Sequence, residues 1–419
     1  MSLSPPIMTI FHIPHYNMLY RTSQNFLCSL LVACCCMLLN VTALQAQIQS
    51  LKGTVTVAGG ENSALATIRI VDQGIGTTSL LDGSYYLEDI APGEHTVEYS
   101  YIGHKTVRQK LTWTKDEVKV MDVVMEEAPI MLTTAFVTPN GEDPAQYILN
   151  HVWKKAEDKH ATMPAFGAKT SMVLSYSDFD IIKLLPSAIR MMLMGVASTV
   201  GFRKVIKLLM KYPELSVSTT ADVRHQNMKY TWTNPSIARC SENLTDDEKK
   251  TLLKLSDNGD LYEEVYGSGN KFRSKKTKAV LKGSYEDGDQ MVFVLEGRQG
   301  QEYYEMHVAE DTWDVLKLEQ VGFLEHTQIE CRPGPGGLYM PVSVNRKLKF
   351  LEQSLEEIEK QSAEHVTTPK EEKKMEKKRK EMEKKPEKKA FMESLTERAK
   401  ARGIHVVLSY GLSISYERK

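Results

Sequence analysis

The sequence predicts a mainly β protein with helices: an N-terminal β-sandwich followed by an α+β domain with a large antiparallel sheet. Three observations carry that prediction. Between residues 52 and 127, the turn dipeptides Asp82-Gly83 and Pro92-Gly93 bracket short alternating runs rich in Tyr and aliphatic residues, the punctuation of a small sandwich. Asp143-Pro144 then opens a stretch whose apolar residues recur at helical spacing. From 279 to 348, alternating runs follow one another with hairpin-type turns at Asp287-Gly288-Asp289 and Arg298-Gln299-Gly300-Gln301.

A chain of 419 residues allows two or three domains and an ample core. Its net charge of −1 gives no global reason to expect nucleic acid or an acidic substrate as partner. Residues 26–39 are almost wholly apolar, follow Arg21 and end near the small residues Ala43 and Ala46. That is the pattern of a secretory signal peptide over residues 1–46, too short in its apolar part for a comfortable membrane span. Cleavage is expected after Ala46, with Ala43 as the alternative, and Met18 is a second candidate start. Leu31-Val32-Ala33-Cys34 also fits the box preceding a lipidated cysteine, although the apolar residues 35–39 follow where a lipoprotein turns polar. Both readings export the protein, to the periplasm or outer membrane. Cys28, Cys34, Cys35 and Cys36 belong to the leader, which leaves Cys240 and Cys331 as one candidate disulfide.

Residues 47–128 hold the sandwich, with strands expected over 51–57, 65–71, 95–101, 105–113 and 117–125 and a short run between the two turns. Asp-Gly and Pro-Gly mark the turns because Gly accepts positive φ and Pro presets φ. The set Gly53-x-Val55, 64–71, 76–79, Asp82-Gly83, Pro92-Gly93 and Tyr101-Ile102-Gly103-His104 resembles the carboxypeptidase-regulatory-like domain. The resemblance implies a seven-strand transthyretin/Ig-like sandwich of the kind common in Bacteroidota envelope proteins, a scaffold that accompanies peptidases without cleaving. Leu80 and His104 depart from the family pattern, where an acidic residue and Tyr are usual, which speaks against an ion-binding turn.

Residues 129–143 read as a linker. Asp143 can cap a helix over 145–160 and Pro144 suits its first position; Tyr147, Ile148, His151, Val152 and Ala156 mark its apolar stripe. Residues 142–149 resemble the helix that follows the sandwich in a family of uncharacterised Bacteroidota envelope proteins. Residues 181–215 are rich in Leu, Ile and Met, and from 181 to 213 their charges are all positive: Lys183, Arg190, Arg203, Lys204, Lys207 and Lys211. Two readings stay open, a basic face lying on an anionic membrane surface and a pair of helices packed on a sheet with solvated cations. Strands are expected over 229–234, 279–285, 291–296, 302–309, 313–323, 327–332, 338–348 and 404–416. This element order resembles the half-barrel clamshell of periplasmic lipoprotein carriers. Between them, 352–402 is a charged insertion; residues 370–389 contain eleven Lys or Arg and six Glu, a composition for a solvated helix or a disordered loop.

No catalytic, cofactor or metal motif emerges. There is no His-Glu-x-x-His, Gly267-Ser268-Gly269 is not a nucleophile elbow, and Gly334-Pro335-Gly336-Gly337 has no Lys-Ser/Thr to cradle phosphate. His104 and His151 read as a turn residue and a helix-face residue. Trp232, Tyr303, Tyr304, Trp313 and Tyr339 are candidate ligand-contact aromatics, with strand packing as the competing use. The expected protein is a non-catalytic exported envelope protein whose sandwich binds or presents, and whose second domain contacts a protein, glycan or apolar ligand. The alternatives are a periplasmic lipid or lipoprotein carrier and a hydrolase of envelope polymers; the latter requires a pocket with converging His and carboxylate groups.

Overall fold

The computed structural model describes residues 49–417 except 60–65, 116, 131–135, 137, 184, 186–189, 192, 196–201, 213–214, 228, 257–258, 288–289 and 354–385. The leader with its cleavage sites and lipobox, the Gly288-Asp289 turn and most of the charged insertion lie outside the described residues.

In the sandwich, β1 (Ser50–Val57) pairs antiparallel with β4 (Ser84–Leu87) and parallel with two successive short strands, β7 (Val118–Val120) and β8 (Val123–Met125). The facing sheet has the order β3 (Ile75–Thr78), β2 (Thr67–Ile70), β5 (Gly93–Ser100), β6 (Val107–Trp113). Alternation places Leu51, Val55, Ile68, Ile70, Val97, Tyr99 and Trp113 in the core between the sheets. The expected seven strands are thus eight segments on seven strand positions, because the edge strand breaks at Met121-Asp122. Gly53 explains the break: a Cβ there would lie 1.8 Å from the Met121 carbonyl oxygen, so only glycine admits the bulge. Asp122 then replaces the missing ladder partner, accepting from Thr54 N and Thr54 Oγ1 at 2.8 Å each.

The second domain is built on one antiparallel sheet of ten strands that does not close into a barrel. Its order starts with β11 (Lys229–Cys240), β10 (Val217–Gln226), β9 (Phe166–Ser177) and β18 (Ile404–Tyr416). It continues through β17 (Tyr339–Gln353), β16 (Glu325–Pro333), β15 (Val315–Val321), β14 (Glu302–Ala309), β13 (Gln290–Gln299) and β12 (Lys278–Asp287). The last strand of the chain therefore joins two meanders, β9–β11 and β12–β17. Its sequence suits that place. Ile404, Val406, Leu408, Tyr410, Leu412 and Ile414 face one core, while Ser409, Gly411 and Ser413 face the other way, where only small groups fit. A Cβ on Gly411 would lie 1.8 Å from Thr78 Oγ1 of the sandwich. Strands β9 and β10 have no counterpart in the sequence-based expectation; apart from Val173 their alternate positions are Gly, Ser, Thr or charged and amide residues, so they read as polar.

Helices cover one face of this sheet. α1 (Pro144–Ala161) starts as expected, with Asp143 Oδ1 accepting from Gln146 N at 3.0 Å and Pro144 at its start. It buries Ala145, Ile148, Leu149, Val152 and Ala156, so the stripe is rotated by about one residue from the one expected. Lys155 fixes it to the β14–β15 turn through Asp314 at 2.6 Å. α2 (Arg203–Lys211), α3 (Asp246–Leu253), α4 (Leu261–Val265) and α5 (Pro386–Arg402) complete the layer. α5 corrects the solvated reading of the insertion's last third: Leu395 and Ala399 are buried, and Arg398 meets Asp180 at 2.5 Å and Asp178 at 3.7 Å. The candidate disulfide is also corrected. Cys240 on β11 and Cys331 on β16 are both free thiols, five strand positions apart in the sheet.

Candidate functional site

The cationic segment singled out in the sequence builds the site. In α2, Val205, Ile206, Leu208 and Leu209 are buried, at the spacing of one helical face, while Arg203, Lys204, Lys207 and Lys211 are exposed. The apolar face thus packs into the protein, the arrangement that the packed-helix reading describes, and the cations are left exposed. The four cations border a cleft of about 1110 Å³ shared with α3, which contributes Lys250, and with the turn after it, which contributes Lys254. Its floor is apolar, formed by Phe202, Val205, Leu208, Leu255 and Tyr410. Phe202 stacks on Tyr410 of β18 with ring centroids 6.5 Å apart, so the floor rests on the strand that joins the two meanders. Of the remaining two cations, Lys183 ends the turn Ile181–Lys183 and Arg190 is half-buried in the next helical turn.

One end of the cleft is pinned. Lys211 Nζ lies 2.7 Å from Glu248 Oε1, and Tyr212 Oη donates to Glu248 Oε2 at 3.3 Å. Glu248 also closes a capping box with Thr245, which fixes the start of α3. The bond from Lys211, with help from Thr245, pulls the Glu248 carboxyl down to about 2, and the same pair raises the Lys211 ammonium. Glu248 is therefore committed as an anion to holding the two helices together.

The five candidate aromatics do not converge. Trp232 donates to Gly259 O at 2.8 Å from strand β11, and Tyr303 bonds Glu305 on the face opposite the helices. Trp313, at φ 58° in the β14–β15 turn, packs under α1 against His151 with centroids 4.7 Å apart. Tyr339 accepts from Tyr266 Oη through its carbonyl at 2.7 Å. Tyr304 borders a smaller cleft of about 320 Å³ that also holds Glu264, Glu325 and Arg346. There Arg346 bonds Glu264 and lies 3.3 Å from Glu325, and burial raises the Glu264 pKa against the pull of that guanidinium.

Two further constellations join residues from different elements. Tyr285 Oη, His307 Nδ1, His307 Nε2 and Glu305 Oε1 run in series at 2.9 and 2.8 Å, with Lys282 2.8 Å from the second carboxylate oxygen. This has the order of a hydroxyl–imidazole–carboxylate relay, but all three groups are buried and burial raises the Tyr285 phenol, the reverse of nucleophile activation. His160 and His225 lie with ring centroids 6.0 Å apart, and among the described residues no third ligand joins them in a group that could hold a metal.

The sandwich sits on the polar face of the sheet through another such constellation. Arg332 Nη2 donates to Glu98 Oε1 at 2.6 Å, Arg108 Nε donates to Glu98 Oε2 at 2.8 Å, and Ser100 donates to Glu330. Thr67 Oγ1 donates to Ser343 Oγ at 3.1 Å, and Leu81 N to Ser175 Oγ at 3.3 Å. Burial alone would raise Glu98; Arg332 and then Arg108 outweigh it and hold the carboxyl low. At the seam's edge Arg239 bonds Glu88 and lies over the Tyr86 ring at 5.0 Å.

Residues 51–137 match the family model of the CarboxypepD_reg-like domain, which supports the expected module and extends it into the linker. No curated protein matches the chain. Among solved structures, a LolA superfamily protein from Nitrosomonas europaea is 9% identical, covering 66% of this chain and 93% of that one, at a TM-score of 0.23. A Streptococcal ancillary pilin is 7% identical, covering 31% of this chain and 41% of that one, at a TM-score of 0.16. Likeness at that level carries no argument about this chain.

Proposed function

We propose that this chain is an exported, non-catalytic envelope protein whose helical layer receives an apolar ligand in the α2–α3 cleft. The β-sandwich is its rigid presenting module, held to the opposite face of the sheet. The single observation that carries this reading is the cleft itself, an open space of about 1110 Å³ with an aromatic and aliphatic floor on a strand-backed base. Spaces of this size with apolar floors suit amphiphiles or acyl chains better than short polar substrates. Export rests on the leader's composition, and the periplasm or outer membrane is the expected location. A carrier that hands its ligand onward is the same reading with release added, and contact with a membrane surface would then occur at the cationic rim. The hydroxyl–imidazole–carboxylate series at Tyr285, His307 and Glu305 is buried on the sheet's polar face and serves packing in this reading, since a polymer would need it open.

The test is native mass spectrometry of protein recovered from the periplasm of a Gram-negative host. An amphiphile should travel with the protein, and Leu255→Asp, which places a charge on the floor, should reduce its occupancy about tenfold while leaving the circular-dichroism spectrum unchanged. Failure to carry or take up any amphiphile would defeat the reading. So would reproducible turnover of peptide, glycan or ester that disappears on changing one polar side chain.

A further inference from the structure

We infer that the ligand of the α2–α3 cleft carries a polyanionic head, such as a phosphorylated amphiphile, bound one molecule at a time between two rows of cations. The inference rests on the proposed apolar-ligand reading and names the other half of that ligand. Arg203, Lys204, Lys207 and Lys211 form one row along α2; Lys250 of α3 and Lys254 just past its end, four residues apart, form the second. Among the described lining residues there are two carboxylates, Asp247 and Glu248; Glu248 pairs with Lys211, which leaves five cations against Asp247. The excess is local, since the whole chain has a net charge of −1. Like charges facing one another across a cleft repel, and an anion placed between them removes that repulsion.

The apolar floor decides between sources of negative charge. A free phosphate, or the phosphates of a nucleic acid, would meet the rails but leave the half-buried Phe202 and Leu255 wet. A bilayer surface is disfavoured because the apolar side of α2 is consumed by the core and the cations face each other across the cleft. A single acyl chain with a phosphate head uses both parts of the site at once.

Isothermal titration of the mature protein with dodecyl phosphate, dodecanol and inorganic pyrophosphate tests this, alongside flotation with phosphatidylglycerol vesicles. Dodecyl phosphate should bind at least about tenfold more tightly than dodecanol or pyrophosphate, and added salt should weaken it. The double variant Lys207→Glu/Lys250→Glu, exposed on both rails, should lose about tenfold for dodecyl phosphate and leave dodecanol binding unchanged; Lys154→Glu on α1 should change neither. Equal affinity for the two dodecyl compounds, unaffected by the double variant, overturns the inference while the apolar-ligand reading stands. Pyrophosphate binding as tightly as dodecyl phosphate, or binding to vesicles alone, also overturns it. If no amphiphile binds in any form, both fall together.

Discussion

Glu305 lies on the polar face of the ten-stranded sheet, almost wholly buried, with His307, Lys282 and Tyr303 around its two oxygens. Burial by itself would raise its pKa; the bond to His307 and then those from Lys282 and Tyr303 outweigh it and bring the carboxyl down to about 2 from an ordinary 4.5. A depressed folded-state pKa stabilises the protein above the unfolded value and loses that contribution as pH falls through the folded one. Stability should therefore decline between pH 4.5 and about 2 in part through this residue. In Glu305→Gln, urea midpoints measured across that window should fall less steeply with acid than in the parent, and an unchanged slope would show that the group does not titrate as argued. In the sequence Glu302 and Glu305 are two of 54 acids. Tyr303 and His307 stand two residues to either side on the same strand face of β14, and Lys282 is brought in from β12, two strands away, by the order of the sheet.

Among the elements, α5 shows how composition misleads. Its helix is rich in Lys, Glu and Arg, and among the described residues Leu395 and Ala399, four residues apart, dock it to the core. Phe391, Met392, Leu395 and Ala399 recur at helical spacing in the sequence, but the long Lys- and Glu-rich run before them dominates the composition; an ion pair adds to the docking. Arg398 supplies it, facing the buried carboxylates Asp178 and Asp180, which also accept from His405 N at 3.1 Å and Ile181 N at 3.0 Å. Arg398→Ala leaves those anions without their cation. Because the guanidinium is partly exposed, the expected destabilisation is about 1–3 kcal/mol by denaturant unfolding, less than for a fully buried pair. The triple variant Arg398→Met with Asp178→Asn and Asp180→Asn should recover most of it. Helix α2 was easier: its alternation of cations and aliphatics signalled an amphipathic helix, and only the direction of the apolar side stayed open until the sheet was there to receive it.

At the scale of the whole molecule, the sandwich and the sheet meet through buried polar groups. Glu98, Glu330 and Arg332 are linked across the seam, with Glu98 and Glu330 almost fully buried. Such a seam requires both partners in register, since breaking it strands a charge in a place water does not reach. Calorimetry of the parent should give one cooperative transition for sandwich and sheet. Arg332→Ala should cost about 3–5 kcal/mol and split the sandwich's melting from that of the sheet. A single, unshifted transition in that variant would mean the seam contributes little to their coupling.

The amino-acid sequence by itself determined the local features: the turns at Asp82-Gly83 and Pro92-Gly93, the capped start of α1, most strands of the meander, and a cationic amphipathic segment at 203–211. Each is set by φ preference, capping or alternation, forces that act over a few residues. Tertiary structure alone decided which face of α2 was buried, that Lys250 and Lys254 would oppose its cations, and that β18 would lie between β17 and β9. It also decided that Cys240 and Cys331 would stand apart. Those outcomes depend on strand order and long-range register, where residues hundreds of positions apart in the chain become neighbours and no local preference records the pairing.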